Sequence, residues 1–319
     1  MVFVADVKHT KPCHPGIDSG LLKALFEQAQ NYRDSVKLYR VEQYPSHESP
    51  AMAQRLIGLL WPQLRECLPW QIATEDMVTA TIQLPDQGHV TVFHPSGAIA
   101  GLKRSRPGLN PIEHDERKVD RKPLIARAEQ LAHSIAEHYV SDGESLRFES
   151  SWEWKGRGAL IASKQKPSVE TTPVALFEVL GAFRRYIGEL PVLGRASIHV
   201  GIGPAATLVR WGVDWRKVHH ETAIETAVID PEDGARRVLD GLWWRRPERP
   251  FTLDDFEVTG FQLGYVSFSR RRSQFMMQPA WVASLEPRNG TSMGHVVAVP
   301  AAPRAFEPMG RSAMTPGTL

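Results

Sequence analysis

A chain of 319 residues with 42% hydrophobic and 23% charged side chains can build a sizeable core, and its length suits two domains better than one. A formal net charge of +2, from 38 basic and 36 acidic residues, excludes the broadly basic surface of a nucleic-acid-binding protein. Two cysteines, Cys13 and Cys67, exclude a disulfide framework, and no run of about 18 apolar residues is present to cross a membrane.

The opening residues show no basic stretch followed by a long apolar run and no small-residue cleavage site, so a cytoplasmic protein is expected. Asp18 or Ser19 can cap a first helix over 17–32, where Leu21, Leu22, Leu25, Phe26 and Ala29 recur at helical spacing. Residues 36–44 read as a short strand. Ser49 and Pro50 open a helix that runs to Leu60. Segments 77–84 and 89–93 alternate as strands around the turn at Pro85 to Gly88, and 98–102 follows as another. The polar stretch 103–121 reads as a linker. The helix over 123–140 presents Leu124, Ala128, Leu131, Ile135 and Tyr139 on one face. Strand-like segments then cover 146–154, 159–163, 173–187, 196–203 and 206–213. Asp230 and Pro231 open a further helix ending near Gly241. Segments 256–269, 275–285 and 295–299 close the β-rich part, and 301–319 reads as a loose tail. The expectation is an α+β protein of two similar halves, 1–121 and 122–300, each an antiparallel sheet packed on one or more helices.

The candidates for chemistry fail on spacing. His133, Glu137 and His138 sit one residue outside the zinc-helix patterns, with the two histidines about 140° apart around the helix. The pair Gly201 and Gly203 lacks the helix start that a phosphate loop needs. Gly290-Thr-Ser292-Met-Gly294 matches a nucleophile elbow in letters, yet a strand follows it in place of a helix, and no Asp and no suitably distant His come after Ser292. His219 and Glu221 lie on one side of an extended segment and give the alternative of a metal-dependent or other hydrolase, with the third ligand unidentified. No catalytic residue, metal or cofactor is expected in the leading reading.

Tryptophan is the unusual residue. Nine are present, among them Trp152 and Trp154, Trp211 and Trp215, and the adjacent Trp243 and Trp244. Arg184, Arg185, Arg210, Arg216, Arg245 and Arg246 accompany them. Trp and Arg dominate binding hot spots, and Trp also fills cores. Trp243-Trp244-Arg-Arg is the best candidate for an exposed patch, because successive residues cannot all face one core.

The segment Phe183-Arg-Arg-Tyr-Ile-Gly188-Glu-Leu-Pro191-Val-Leu-Gly194, with Ile198-His-Val-Gly-Ile-Gly and residues 209–216 after it, resembles the hairpin of PepSY-type and thermolysin-propeptide-like modules. The resemblance spans roughly 124–299. It implies strands of a sheet packed on a helix, and a protein that holds or restrains another polypeptide without chemistry. Those modules are mostly exported or membrane-tethered, whereas no export signal is read here. A cytoplasmic relative that binds a peptide follows, with the precursor of a ribosomally made natural product as one setting. The expected mode is pairing of an extended ligand with an exposed sheet edge. Trp211, Trp215, Trp243 and Trp244 are the expected anchors, Arg184 and Arg185 the expected partners of ligand carboxylates. A homodimer is expected, and a regulatory protein–protein module is a further alternative.

Overall fold

The computed structural model describes residues 18–43, 48–67, 72–85, 88–103, 115–157, 159–161, 169–171, 173–195, 197–243, 252–288 and 294–306. Four α-helices lie within them: α1 (Ser19–Glu27), α2 (Glu48–Leu60), α3 (Lys122–Ala136) and α4 (Pro231–Trp243). Two of them start on aspartates. The Asp18 side chain accepts from the backbone N–H of Leu21 at 2.8 Å, and Asp230 accepts from that of Asp233 at 2.8 Å, each satisfying a donor the helix cannot.

The strands in chain order are β1 (Ala29–Gln30), β2 (Ser35–Val41), β3 (Ile72–Glu75), β4 (Thr79–Gln83), β5 (His89–Phe93) and β6 (Ala98–Leu102). After α3 come β7 (Glu144–Gly156), β8 (Ala159–Ile161), β9 (Val169–Thr171), β10 (Ala175–Ile187), β11 (Leu190–Leu193), β12 (Ile198–Ile202), β13 (Leu208–Val213) and β14 (Val218–Ala227). After α4 come β15 (Phe256–Val266), β16 (Met276–Met277), β17 (Pro279–Pro287) and β18 (His295–Pro300). Thirteen of these form one sheet in the order β18-β17-β15-β11-β10-β12-β13-β6-β5-β4-β3, with β7 on β10 and β1 on β15. A small second sheet runs β14-β2-β16, and β8 pairs with β9.

Strand β10 organises the large sheet. β7 pairs along its whole length, from Ala175↔Gly156 to Ile187↔Glu144. Its other edge is divided. β12 takes residues 179–183, and β11 takes Tyr186 and Ile187 after the Gly188 turn, where a φ of +57° favours glycine. β11 then runs parallel to β15 through Val192↔Tyr265 and Leu193↔Val266. The sheet therefore forks at the end of β10. One arm leads to β3 and the other to β18.

Each arm has its own core. The face of β4, β5, β6, β13, β12 and β10 that carries Ile82, Val92, Ile99, Val213, Val200 and Phe183 packs on α2 and α3 through Leu56, Ile57, Leu131 and Ile135. The other arm packs Phe261, Leu263, Trp281 and Leu285 on α1 and α4 through Leu21, Leu25, Val238 and Leu242.

The α+β class is as the alternation of segments implied. The two cores are not successive halves of the chain, however. The first is drawn from residues 53–215, while the second joins 21–41 to 187–301, so packing does not divide at 121. Long-range bonds enforce this. The Tyr265 hydroxyl donates to the Lys37 carbonyl at 2.7 Å, and the Gln28 side-chain amide donates to the Val258 carbonyl at 3.0 Å. The parallel pairings also make the sheet mixed instead of two antiparallel ones. The start of the expected loose tail is held in place: Ala301 and Ala302 are buried, and the Arg237 guanidinium donates to the carbonyls of Pro300 and Ala302 at 3.0 Å each.

At the fork, Gly264 of β15 lies against β11. A Cβ there would stand 2.6 Å from the Pro191 carbonyl oxygen and 2.7 Å from Leu193 Cδ1. Backbone cannot turn aside as a side-chain tip can. Gly264→Ala is expected to lower stability by about 2 kcal/mol, as overpacking does, seen as an earlier urea midpoint with an unchanged slope.

Candidate functional site

Alternation along each strand fixes which side chains face away from α2 and α3. On this second face the register aligns Thr81, Thr91, Ala100, Gly212, His199, Ala182 and Ser150 across seven strands. All but His199 are small. They form a low row between taller residues, with Leu102, Arg210, Leu180 and Trp152 on one side. Among the described residues no helix covers this face. An antiparallel sheet commonly leaves one face to water; the charges here are arranged more specifically than solvation needs.

Two ion pairs stand on it. Glu178, only 3% exposed, receives Nε and Nη2 of Arg210 at 2.5 Å each, and the guanidinium lies 4.9 Å over the Trp154 ring. Room for the Glu178 carboxylate exists because position 201 is glycine: a Cβ there would stand 1.7 Å from Glu178 Oε1. Asp214 receives Nε and Nη2 of Arg270 at 2.6 and 2.7 Å. Arg270 comes from the loop after β15 and reaches to 5.4 Å from the Phe93 ring. Both pairs are bidentate, the strongest form of this contact.

Between them the His199 ring lies across Gly212. A Cβ on Gly212 would stand 2.2 Å from His199 Cε1 and 3.0 Å from Arg270 Nη2. Burial, then the Arg270 guanidinium, with Arg210 and Arg195 behind it, hold the imidazole down to about 4 from its ordinary 6.5, against an opposing pull from Asp214. The ring is neutral near pH 7.

Of the four described side chains expected to bind a ligand, Trp211, Trp215 and Arg185 are internal. Trp211 and Trp215 are 0% and 1% exposed, so they are core residues and not surface anchors. Trp211 tilts against Trp61 with ring centroids 6.0 Å apart, and Trp215 tilts against Tyr139 at 6.3 Å. The strand pattern explains it: Trp211, Val213 and Trp215 share the helix face, while Arg210, Gly212 and Asp214 share the other. Arg185 is buried too. It meets Glu144 through Nε at 3.1 Å and Nη2 at 2.5 Å, donates to the Arg216 carbonyl at 2.5 Å, and stacks 4.8 Å from the Trp215 ring. Arg184 is held by Glu149 at 2.8 Å and by the Val192 carbonyl at 2.8 Å. The Trp243 side chain and Trp244 lie outside the described residues.

Trp152 and Trp154, singled out in the sequence only as sharing a strand face, are the exposed pair, at 43% and 47%. Their signal was available: β7 is polar at Ser151, Glu153 and Lys155, so its other side has no apolar set to bury. His219 and Glu221 stand 3.4 Å apart on the surface, while His220 turns inward to Glu144 at 3.0 Å. His133 is exposed on α3 and Glu137 and His138 just past its end, and among the described residues no group of three or more potential metal ligands comes together. The motif at Gly290 to Gly294 falls on residues outside those described up to Met293.

The neutral imidazole has a consequence for stability. A histidine with a lowered midpoint binds its proton more readily in the unfolded chain. Its contribution is complete above about 6.5 and is lost as pH falls toward 4. The loss attributable to His199 is on the order of 3 kcal/mol. Urea unfolding of the wild type and of His199→Gln between pH 7 and pH 4 checks it: the variant should lack that share of the decline.

No family model matches this chain, and no curated protein does. Among solved structures it is similar to an uncharacterized protein from Eubacterium rectale ATCC 33656, at 10% identity and a TM-score of 0.46, over 90% of this chain and 97% of that one.

Proposed function

We propose that the chain is a non-catalytic polypeptide-binding protein that holds an extended segment against the outer edge of β7. The observation that carries this reading is the state of that strand. β7 is 13 residues long and pairs with β10 on one edge, and no described strand pairs with the other. An edge strand presents outward N–H and C=O groups at every second residue, which an added strand completes. Phe148, Trp152 and Trp154 stand half-exposed along it. Aromatic side chains beside a free ladder supply the anchoring that backbone bonds lack.

The bulge between Ser150 and Phe148 limits the ladder. A bulge twists the strand and interrupts pairing. The usable stretch is therefore 150–156, which includes both tryptophans. A precursor of a modified peptide, the setting considered from the sequence, is one ligand of this kind.

A dodecamer phage library panned on the protein supplies the probe. The enriched peptide is expected to slow hydrogen exchange at alternate amides of 150–156. Its Kd should rise at least about tenfold in Trp152→Ala/Trp154→Ala, since each hot-spot aromatic carries more than about 1 kcal/mol. Both side chains are half-exposed and Trp154 lies under Arg210, so the variant should lose about 1–2 kcal/mol and still be folded when binding is measured. No enrichment, or equal affinity for a folded double variant, would overturn the reading.

A further inference from the structure

We propose that β7 pairs with β7 of a second copy of this chain, around a two-fold axis through Glu153, and that this self-pairing closes the edge to other ligands. The inference rests on the reading of β7 as an open edge and names what competes for it.

Symmetry sets the first requirement. A two-fold dimer brings the same patch together from both copies, so the patch must complement itself. The stretch that the bulge leaves for pairing, 150–156, reads Ser-Ser-Trp-Glu-Trp-Lys-Gly, and Trp-Glu-Trp is the same in both directions. Its central residue is Glu153, and residues 151–155 are exposed one after another. Antiparallel rotation about Glu153 sets Trp152 opposite the partner's Trp154 and Trp154 opposite the partner's Trp152. Ser151 then meets the partner's Lys155, and Ser150 the partner's Gly156. A slip of one residue would set each tryptophan against a side chain of the opposite face. A slip of two would leave one tryptophan of each copy opposite serine or glycine.

The side chains suit this register on both faces. On the open face Trp152 and Trp154 are half-exposed, and the Arg210 guanidinium lies 4.9 Å over the Trp154 ring. Two cross-strand aromatic pairs would cover surface that otherwise meets water. On the other face Glu153 accepts from Arg121 at 3.1 Å and lies 2.7 Å from Lys155 Nζ, while Lys155 reaches Glu116 at 2.8 Å. Two cations and two carboxylates balance there. Glu153 opposite the partner's Glu153 is the one like-charged pair in the register, and each carboxylate brings its own two cations. The bonds from Arg121 and then Lys155 hold Glu153 below the ordinary carboxylate range, so it enters the pairing ionised and neutralised. The partner's Lys155 stands diagonally across from it as a third cation. α3 packs chiefly on β12 and β10, back from the edge.

Seven residues a side make a small interface. The dimer belongs to the weak class, with a Kd of about 10–100 μM, so the edge can pass from a second copy to a peptide.

Sedimentation velocity at loading concentrations of about 1 to 300 μM brackets that Kd. The wild type is expected to pass from monomer to dimer, and Trp152→Ala/Trp154→Ala to weaken the dimer at least about tenfold. Position 151 reads the register. Ser151→Lys sets lysine opposite the partner's Lys155 twice in each dimer and should weaken it about threefold or more. Ser151→Glu sets a carboxylate in the same place and should tighten it by about the same factor. A damaged strand would weaken in both.

Mild oxidation gives a second readout. Glu153→Cys places the two introduced sulfurs at the axis, with Cα atoms about 4.5 to 5.5 Å apart, a distance a disulfide spans. Ser151→Cys places them more than about 13 Å apart and should not cross-link. The wild type, with Cys13 and Cys67, is the control.

A protein still monomeric at about 300 μM overturns the proposal. So does a dimer whose Kd is the same in Ser151→Lys and Ser151→Glu, or one that cross-links equally through positions 151 and 153. The panned peptide keeps the two readings apart. It is expected to dissolve the dimer as it protects 150–156, and protection of 150–156 in an intact dimer overturns self-pairing. A peptide bound there by a protein that never dimerises leaves the peptide reading standing and removes self-pairing. A register-dependent dimer with no enriched peptide supports self-pairing and removes the peptide reading.

Discussion

The seat of Arg185 is the constraint on which the rest of the molecule depends. It lies at the end of β10, where β12 gives way to β11 and the sheet forks. Its guanidinium and the Glu144 carboxylate are 1% and 0% exposed. A buried ion pair is costly to desolvate and is tolerated only when the remaining hydrogen-bonding capacity is filled. Here it is filled from several directions. Glu144 begins β7, the Arg216 carbonyl follows β13, and His220 brings β14 to the same carboxylate. The Ser197 hydroxyl accepts from the Arg185 backbone N–H at 3.1 Å, fixing the entry to β12. One charged side chain thus sets where three strands and the small sheet meet.

Arg216 extends that control to the open face. Its buried guanidinium donates to the carbonyls of Ser269 and Arg272 at 2.9 and 2.7 Å. The loop between those carbonyls carries Arg270. The group that faces His199 is therefore held by its own pair with Asp214 and by the backbone on either side of it.

The helices and most strands were legible because their periodicity is strong. α3 shows a clean apolar stripe, and β5 and β6 occupy the residues where alternation and turns placed them. The site was harder to read for two different reasons. Trp211 and Trp215 attracted notice as residue types, although the alternation Trp211, Val213, Trp215 against Arg210, Gly212, Asp214 already marked the buried side. The other reason is distance. Arg185 and Glu144 are separated by 41 positions, Arg270 and Asp214 by 56, and no local pattern announces such partners. The closure of α1 and β2 on the C-terminal strands has the same character, since Gln28 and Val258 are 230 positions apart.

That closure has a consequence for the order of assembly. The core around α2 and α3 is drawn from residues 53–215 and can form while the chain is still growing. The other core needs Leu21 and Leu25 together with Trp281, Leu285 and Val297, so it closes only after β17 and β18 have left the ribosome. Until α4 and β15 emerge, the apolar stripe of α1 has no native partner. Loop closure over such separations is slow and leaves apolar surface in water meanwhile. A segment made early thus waits for partners made late, and a chain truncated shortly before β17 would carry one finished core and one that cannot be made.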